Sequence, residues 1–130
     1  MILLDTHAWL WWLSDPGRLG RAAAERIELA KRDDRIVVSA ISVWEAALLV
    51  KKGRLELAIG MTALVRGCLA LSFFRFEAID PSIALGAVEL SPLHPDPADR
   101  LIVATALRLG VPLVTKDSRI QASGLVEAIW

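Results

Sequence analysis

Short apolar runs alternate with helix-patterned segments along the whole chain, and this alternation restricts the fold more than any other feature. The runs are Ile2 to Leu4, Ile36 to Val38, Phe73 to Ile79, Val111 to Thr115 and Val126 to Ile129. Between them lie segments with aliphatic residues at helical spacing. These are His7 to Leu13, Arg21 to Lys31, Ser42 to Lys52, Met61 to Leu71, Pro81 to Leu90, Asp99 to Leu109 and Ser118 to Ala122. Ser14-Asp15-Pro16-Gly17, Asp33-Asp34 and the three prolines from Ser91 to Pro97 are turn or loop chemistry, and Gly53 and Gly110 stop two helices. Strands too short and too apolar to alternate, each followed by a helix, predict an α/β fold. Its core is a parallel sheet of five strands covered on both faces. The 130 residues suit a single domain spanning 1–130, with no internal repeat, low-complexity tract or linker.

Charge narrows the function. Lys and Arg number 15, as do Asp and Glu, so the net charge is zero. Tight nonspecific nucleic-acid binding depends on neutralising phosphates, so any action on nucleic acid has to use a local basic rim. A neutral chain that is 55% hydrophobic also tends to associate with itself or with a partner. The lone Cys68 excludes an intramolecular disulfide and reads as a small buried hydrophobe. No basic region precedes the first apolar residues, and the longest apolar stretch, Ile36 to Val50, is interrupted by Ser39, Ser42 and Glu45. The expectation is a cytoplasmic protein without a membrane segment.

Four acids stand at informative places. Asp5 follows the first run, Glu45 lies in the helix after the second, Asp99 opens a helix, and Asp117 follows Leu113-Val114-Thr115. In an open parallel sheet the C-terminal ends of adjacent strands converge on one crevice. Four carboxylates delivered there repel one another unless a hard divalent cation sits among them, which points to metal-assisted phosphodiester chemistry.

For any one acid alone, helix capping is the simpler account. Ser42-Val43-Trp44-Glu45 fits a capping box with Ser42 as the cap. Asp96-Pro97-Ala98-Asp99 fits an Asp cap with proline at the first helical position. The helices starting near Arg21 and Met61 carry no such acid, so capping alone does not explain the distribution. The two roles are also compatible, because a helix N-terminus favours the ionised carboxylate that a cation needs. Asp96 is either only a cap or a residue that steadies a metal ligand. Thr6 and Thr115 flank expected ligands and are candidates to orient them by hydrogen bonds, or are ordinary helix-start and strand residues. His7 and His94 have no partner at zinc-ligand spacing. Trp9, Trp11, Trp12 and Trp44 lie on strongly apolar segments, where core or interface packing outweighs base stacking.

The residues carrying these arguments resemble a known family. Met1-Ile2-Leu3-Leu4-Asp5-Thr6-His7, Ile41-Ser42-Val43-Trp44-Glu45, Asp96-Pro97-Ala98-Asp99-Arg100-Leu101 and Leu113-Val114-Thr115-Lys116-Asp117 are similar to the PIN-domain ribonucleases. More narrowly, they resemble the toxins of VapBC-type toxin–antitoxin pairs. Each motif alone is weak; four in order within so short a chain are specific. Pro95, just before Asp96, departs from the pattern. The resemblance implies a three-layer α/β/α fold, an acidic pocket holding Mg²⁺ or Mn²⁺, and endonucleolytic cleavage of RNA. It implies that Asp5, Glu45, Asp99 and Asp117 are the metal-binding and catalytic acids, and that the chain forms a homodimer inhibited by a small antitoxin. Arg100, Lys116 and Arg119 are candidates for contacting phosphate. Two other classes compete: a receiver-like signalling module, and a catalytically silent domain that binds a partner through its apolar helices. The segments His7 to Leu13 and Val43 to Val50, which carry Trp9, Trp11, Trp12 and Trp44, are expected to form part of a hydrophobic groove beside the acids, with the dimer using another face.

Overall fold

The computed structural model describes residues 1–33, 35–91, 93 and 95–130. Five strands, β1 (Ile2–Leu4), β2 (Ile36–Ser39), β3 (Phe74–Glu77), β4 (Leu113–Val114) and β5 (Ala128–Ile129), form one parallel sheet in the order β3-β2-β1-β4-β5. Around it lie α1 (Thr6–Ser14), α2 (Arg21–Arg32), α3 (Ala40–Lys51), α4 (Met61–Leu69), α5 (Pro81–Val88), α6 (Pro97–Leu109) and α7 (Ser118–Ser123), with a 3-10 turn at Pro16–Arg18.

Strand periodicity divides the interior into two cores. Ile2 and Leu4 of β1, with Ile36 and Val38 of β2, face α1, α2 and α4 through Trp9, Ile27, Leu64 and Cys68. Leu3 and Val37 point the other way and meet Ile83, Ile102, Val103 and Ile120 of α5, α6 and α7. The sheet is therefore sandwiched between two helical layers, as the alternation requires. Trp9 is fully buried. Among the described residues its indole N–H finds no partner of standard geometry, and it lies against the Cys68 thiol, a weak acceptor. Among the described residues no helix is long and apolar enough to cross a membrane.

Several boundaries differ from the sequence expectation. The run Val111 to Thr115 contributes only Leu113–Val114 as strand, because Pro112 has no N–H for the ladder. Phe73 to Ile79 narrows to Phe74–Glu77, and Val126 to Ile129 narrows to Ala128–Ile129. The largest correction concerns α3. It begins at Ala40, and its cap is Ser39, whose hydroxyl accepts from Ile41 N at 3.3 Å. Strand β2 runs into α3 with no intervening loop, so the helix starts two residues earlier than Ser42. Glu45 then sits in the second turn, and the capping-box account of it falls.

Topology places the site. The chain runs from central β1 outward through β2 to β3, then crosses back to add β4 and β5 on the other side of β1. Helices α5 and α6 make that crossing as an antiparallel pair. Arg108 near the end of α6 reaches Asp80 at the start of α5 at 3.1 Å. At the other end, Arg100 donates to the carbonyls of Ala87 at 3.0 Å and Leu93 at 2.9 Å. Gly110, at φ 65°, ends α6 in the left-handed conformation that a side chain resists. The reversal of strand order between β1 and β4 is the switch point at which open α/β sheets bind ligands.

Candidate active site

Asp5 ends β1 and caps α1; its Oδ1 accepts from Ala8 N at 2.8 Å, and the residue is 8% exposed. Asp117 follows β4 and caps α7; its Oδ1 accepts from Arg119 N at 2.8 Å and Ile120 N at 3.2 Å. Asp96 caps α6 by accepting from Asp99 N at 3.0 Å, with Pro97 at the first helical position. Asp99 lies one turn into that helix and Glu45 projects from α3; both are half-buried. All five carboxylates line one open cavity of about 580 Å³. Three strands, β1, β2 and β4, and the helix entering β4 thus deliver acids to one place.

Buried hydroxyls brace this ring. Thr115 hydrogen-bonds the Asp5 carboxylate and accepts from Asp117 N at 3.1 Å, so one side chain links two acids. Gln121 Nε2 donates to the Thr115 carbonyl at 3.0 Å. Thr6 Oγ1 donates to Ser42 Oγ at 2.9 Å, joining the start of α1 to the turn of α3 that precedes Glu45. Ser42 escaped the sequence reading as a site residue. The signal was its spacing of three from Glu45, which puts both on one helical face.

The electrostatics follow from crowding. Burial first, then the carboxylates of Asp96, Asp117, Glu45 and Asp5, push Asp99 up to about 7. Burial also raises Asp5, opposed by its hydrogen bonds from Thr115 and Ala8 and by the nearby His7, and assisted by Glu45. Like charges gathered in a partly desolvated cleft disfavour ionisation. Among the described residues no three His, Cys, Asp or Glu side chains are already gathered into a closed metal-ion site. The donor chemistry nonetheless suits one class of ion: the acids of the crevice are all oxygen donors, the set preferred by hard divalent cations.

The remaining expected residues separate. Lys116 and Arg119 are exposed on the crevice wall, and Arg119 pairs with Asp117 at 3.5 Å. Arg100 is not on that wall; its guanidinium serves the α5 carbonyls and Leu93. One residue along a helix is a rotation of about 100°, so neighbouring Asp99 and Arg100 face different ways. His7 is exposed on the crevice wall, and His94 lies outside the described residues. Trp9 and Trp12 belong to the core, Trp12 stacking on Phe74 at 6.2 Å. Trp44 is 59% exposed, and Trp11 lies half-buried on the crevice wall. A second cavity of about 470 Å³ adjoins the first through His7 and Trp11, between α1, the end of α3 and Arg54–Glu56. Leu10, Leu49 and Leu55 share it with Asp15, Arg18, Arg54 and Glu56, so the expected groove exists but is amphipathic, and Trp44 is not on its wall.

The model of the PIN domain family matches residues 2–124. The chain belongs to the PIN-domain family. Within it, the chain is 43% identical over 122 residues to Ribonuclease VapC22 of Mycobacterium tuberculosis, covering 93% of this chain and 90% of that one. The PIN fold aligns with the crystal structure of FitAcB from Neisseria gonorrhoeae at a TM-score of 0.69 and 23% identity, over 98% of this chain and 96% of that chain. It also aligns with VapBC2 of Rickettsia felis, bound to a promoter DNA fragment, at a TM-score of 0.69 and 17% identity, over 98% and 97%. In this PIN domain the switch-point crevice carries the acids that the sequence motifs singled out.

Proposed function

We propose that this PIN domain is a Mg²⁺- or Mn²⁺-dependent endoribonuclease and the toxin of a VapBC-type toxin–antitoxin pair. The observation that carries the reading is the convergence of Asp5, Glu45, Asp99 and Asp117 on one crevice, at the cost of an Asp99 pushed up to about 7. An arrangement that destabilises its own carboxylates has a use when a cation shares them. The ribonuclease name of the 43% relative supports the choice of RNA as substrate.

Asp5 and Asp99 would anchor the cation, with Asp117 and Glu45 completing its surroundings. Bound there, the cation supplies Lewis acidity for attack of water on phosphorus and offsets charge gathering on the phosphate. Thr115 fixes the spacing of Asp5 and Asp117, and Asp96 fixes the first turn that presents Asp99. The P–O bond to the departing ribose oxygen breaks as the bond to water oxygen forms; one strand keeps the phosphate with the water oxygen, and the ribose oxygen leaves as a hydroxyl with a proton that the water gives up. Lys116 and Arg119 on the crevice wall are placed to meet phosphate oxygens.

The amphipathic groove beside the crevice suits a small antitoxin segment with apolar and charged side chains, and a basic residue from it would offset the carboxylate repulsion. A homodimer would use another face; Leu85 and Val88, 71% and 78% exposed and one turn apart on α5, offer apolar surface for it. The work of such a toxin lies in the cytoplasm.

Incubating the purified, partner-free protein with total RNA and Mg²⁺ or Mn²⁺, and mapping the ends produced, tests this function. Discrete cuts that disappear with EDTA are expected. Intact RNA with either ion would leave a catalytically silent binding domain.

A further inference from the structure

A crevice walled by carboxylates repels the polyanion it is proposed to cut, so RNA needs cations at the mouth. Lys116 on the crevice wall and Arg18 on the wall of the adjoining groove meet that need in an unusual way, at a side chain the two cavities share. The Arg18 guanidinium carbon lies 4.4 Å from the centre of the Trp11 ring, and Lys116 Nζ lies 5.7 Å from it, both within cation–π range. Both side chains are exposed, and among the described residues neither forms an ion pair with a carboxylate. Lys116 is the chain neighbour of Asp117, yet the ion pair with Asp117 is made by Arg119.

The indole that gathers these cations is itself braced. Trp130 meets Trp11 edge-on at 5.6 Å, and His7 lies at 5.6 Å on a tilt. Trp130 in turn rests on Gly20, where a Cβ would come within 2.6 Å of its indole Cδ1. Trp11 also belongs to both cavities: Lys116 stands on the crevice side and Arg18 on the groove side.

We propose that Arg18, Trp11 and Lys116 form a phosphate-binding station for the single-stranded RNA flanking the scissile bond, which rests on the ribonuclease reading above. Trp11 holds the two cations where crevice and groove meet without neutralising them, as a carboxylate would. Incoming phosphates take the guanidinium and the ammonium, and the indole face so freed stacks on a base. Arg18 and Lys116 are binding residues; Trp11 positions them.

The probe is a short single-stranded RNA carrying a fluorescent label, in EDTA so that it is bound but not cut, titrated at several salt concentrations. The double variant R18Q/K116Q should lower the slope of log affinity against log salt by about 1.4, because each phosphate neutralised on a single strand contributes about 0.7. In cleavage assays its KM should rise severalfold with kcat nearly unchanged. Trp11→Leu should reduce the slope in part, and Trp11→Phe, which keeps a ring, should retain it. Arg66→Gln, at an exposed cation on α4, should leave the slope alone. Wild-type protein that binds and cuts RNA, paired with a double variant of unchanged slope and KM, overturns the station and leaves the ribonuclease reading standing. Wild-type protein that neither binds nor cuts RNA overturns both. Variants that keep the RNA slope but no longer bind a protein partner also overturn it, because the cations then serve protein recognition.

Discussion

Two helices of this PIN domain begin with the same dipeptide at opposite ends of the α5–α6 pair, and their acids behave in opposite ways. Asp80 caps α5 ahead of Pro81; its Oδ1 accepts from Ile83 N at 2.9 Å and Ser82 Oγ at 2.8 Å. Those hydrogen bonds, with Arg108 beside it, hold Asp80 below its ordinary value. Asp96 caps α6 ahead of Pro97 in the same manner, but the acid one turn on, Asp99, is pushed up to about 7 by burial and four other carboxylates. Local chemistry is nearly identical at the two starts. What differs is the topology: one end meets a counter-charge, the other meets the acids arriving from β1, β2 and β4. An acid in the first turn of a helix becomes a candidate catalytic group through its neighbours in space.

The sharpest way to break this contrast is to neutralise one acid at each end. Asp99→Asn or Asp5→Asn should lower RNA cleavage by at least about a hundredfold, the upper end of what even an outer hydrogen-bond partner of a metal ligand costs. Their circular dichroism should match the wild type. Asp80→Asn should leave cleavage unchanged and at most lower the thermal midpoint slightly. Equal losses at both ends would erase the distinction. Next in size, Thr115→Val removes the hydroxyl joining Asp5 and Asp117 and should cost cleavage roughly ten- to a hundredfold. Thr115→Ser should recover most of it, read as initial rates at saturating Mg²⁺.

A smaller effect concerns stability without metal. Asp99 titrates near 7 when folded and at an ordinary 3.8 when unfolded. The folded chain therefore binds more protons between these values, and stability falls as pH rises through this window. Metal-free Asp99→Asn should unfold at a higher temperature than wild type at pH 8, and the gain should vanish at pH 4. A melting series in EDTA that shows no such crossover would count against the crowding. Smallest of all, Asp96→Asn should shift stability by under about 0.5 kcal/mol, because Asn and Asp cap almost equally. Its cleavage rate should fall far less than that of Asp99→Asn in the same assay.

Much of this was legible in the residues. Runs such as Ile2 to Leu4 are too short and too apolar for anything but doubly buried strands, and proline and glycine punctuate the helices they adjoin. Asp5, Asp99 and Asp117 announced themselves because each follows a strand or opens a helix. The start of α3 did not, because Ser39 and Ser42 are both competent caps and only the direct passage from β2 decides between them. The tryptophans were ambiguous for a related reason. Helix α1 is apolar all round, so no polar stripe tells which face is inside, and Trp9 and Trp11 point to opposite sides. Arg100 looked like a phosphate contact by adjacency to Asp99, and helical rotation turned it toward α5. Thr115 carried no sequence signal beyond its place, because its value lies in touching two acids far apart in the chain.

Crystals of the protein grown with Mn²⁺ and an anomalous difference map test the central claim most directly. A peak is expected in the switch-point crevice contacted by Asp5 and Asp99, absent in Asp99→Asn and unaffected by Asp80→Asn. A crevice without Mn²⁺ in protein that still cuts RNA, or a peak that survives in Asp99→Asn, would contradict that claim.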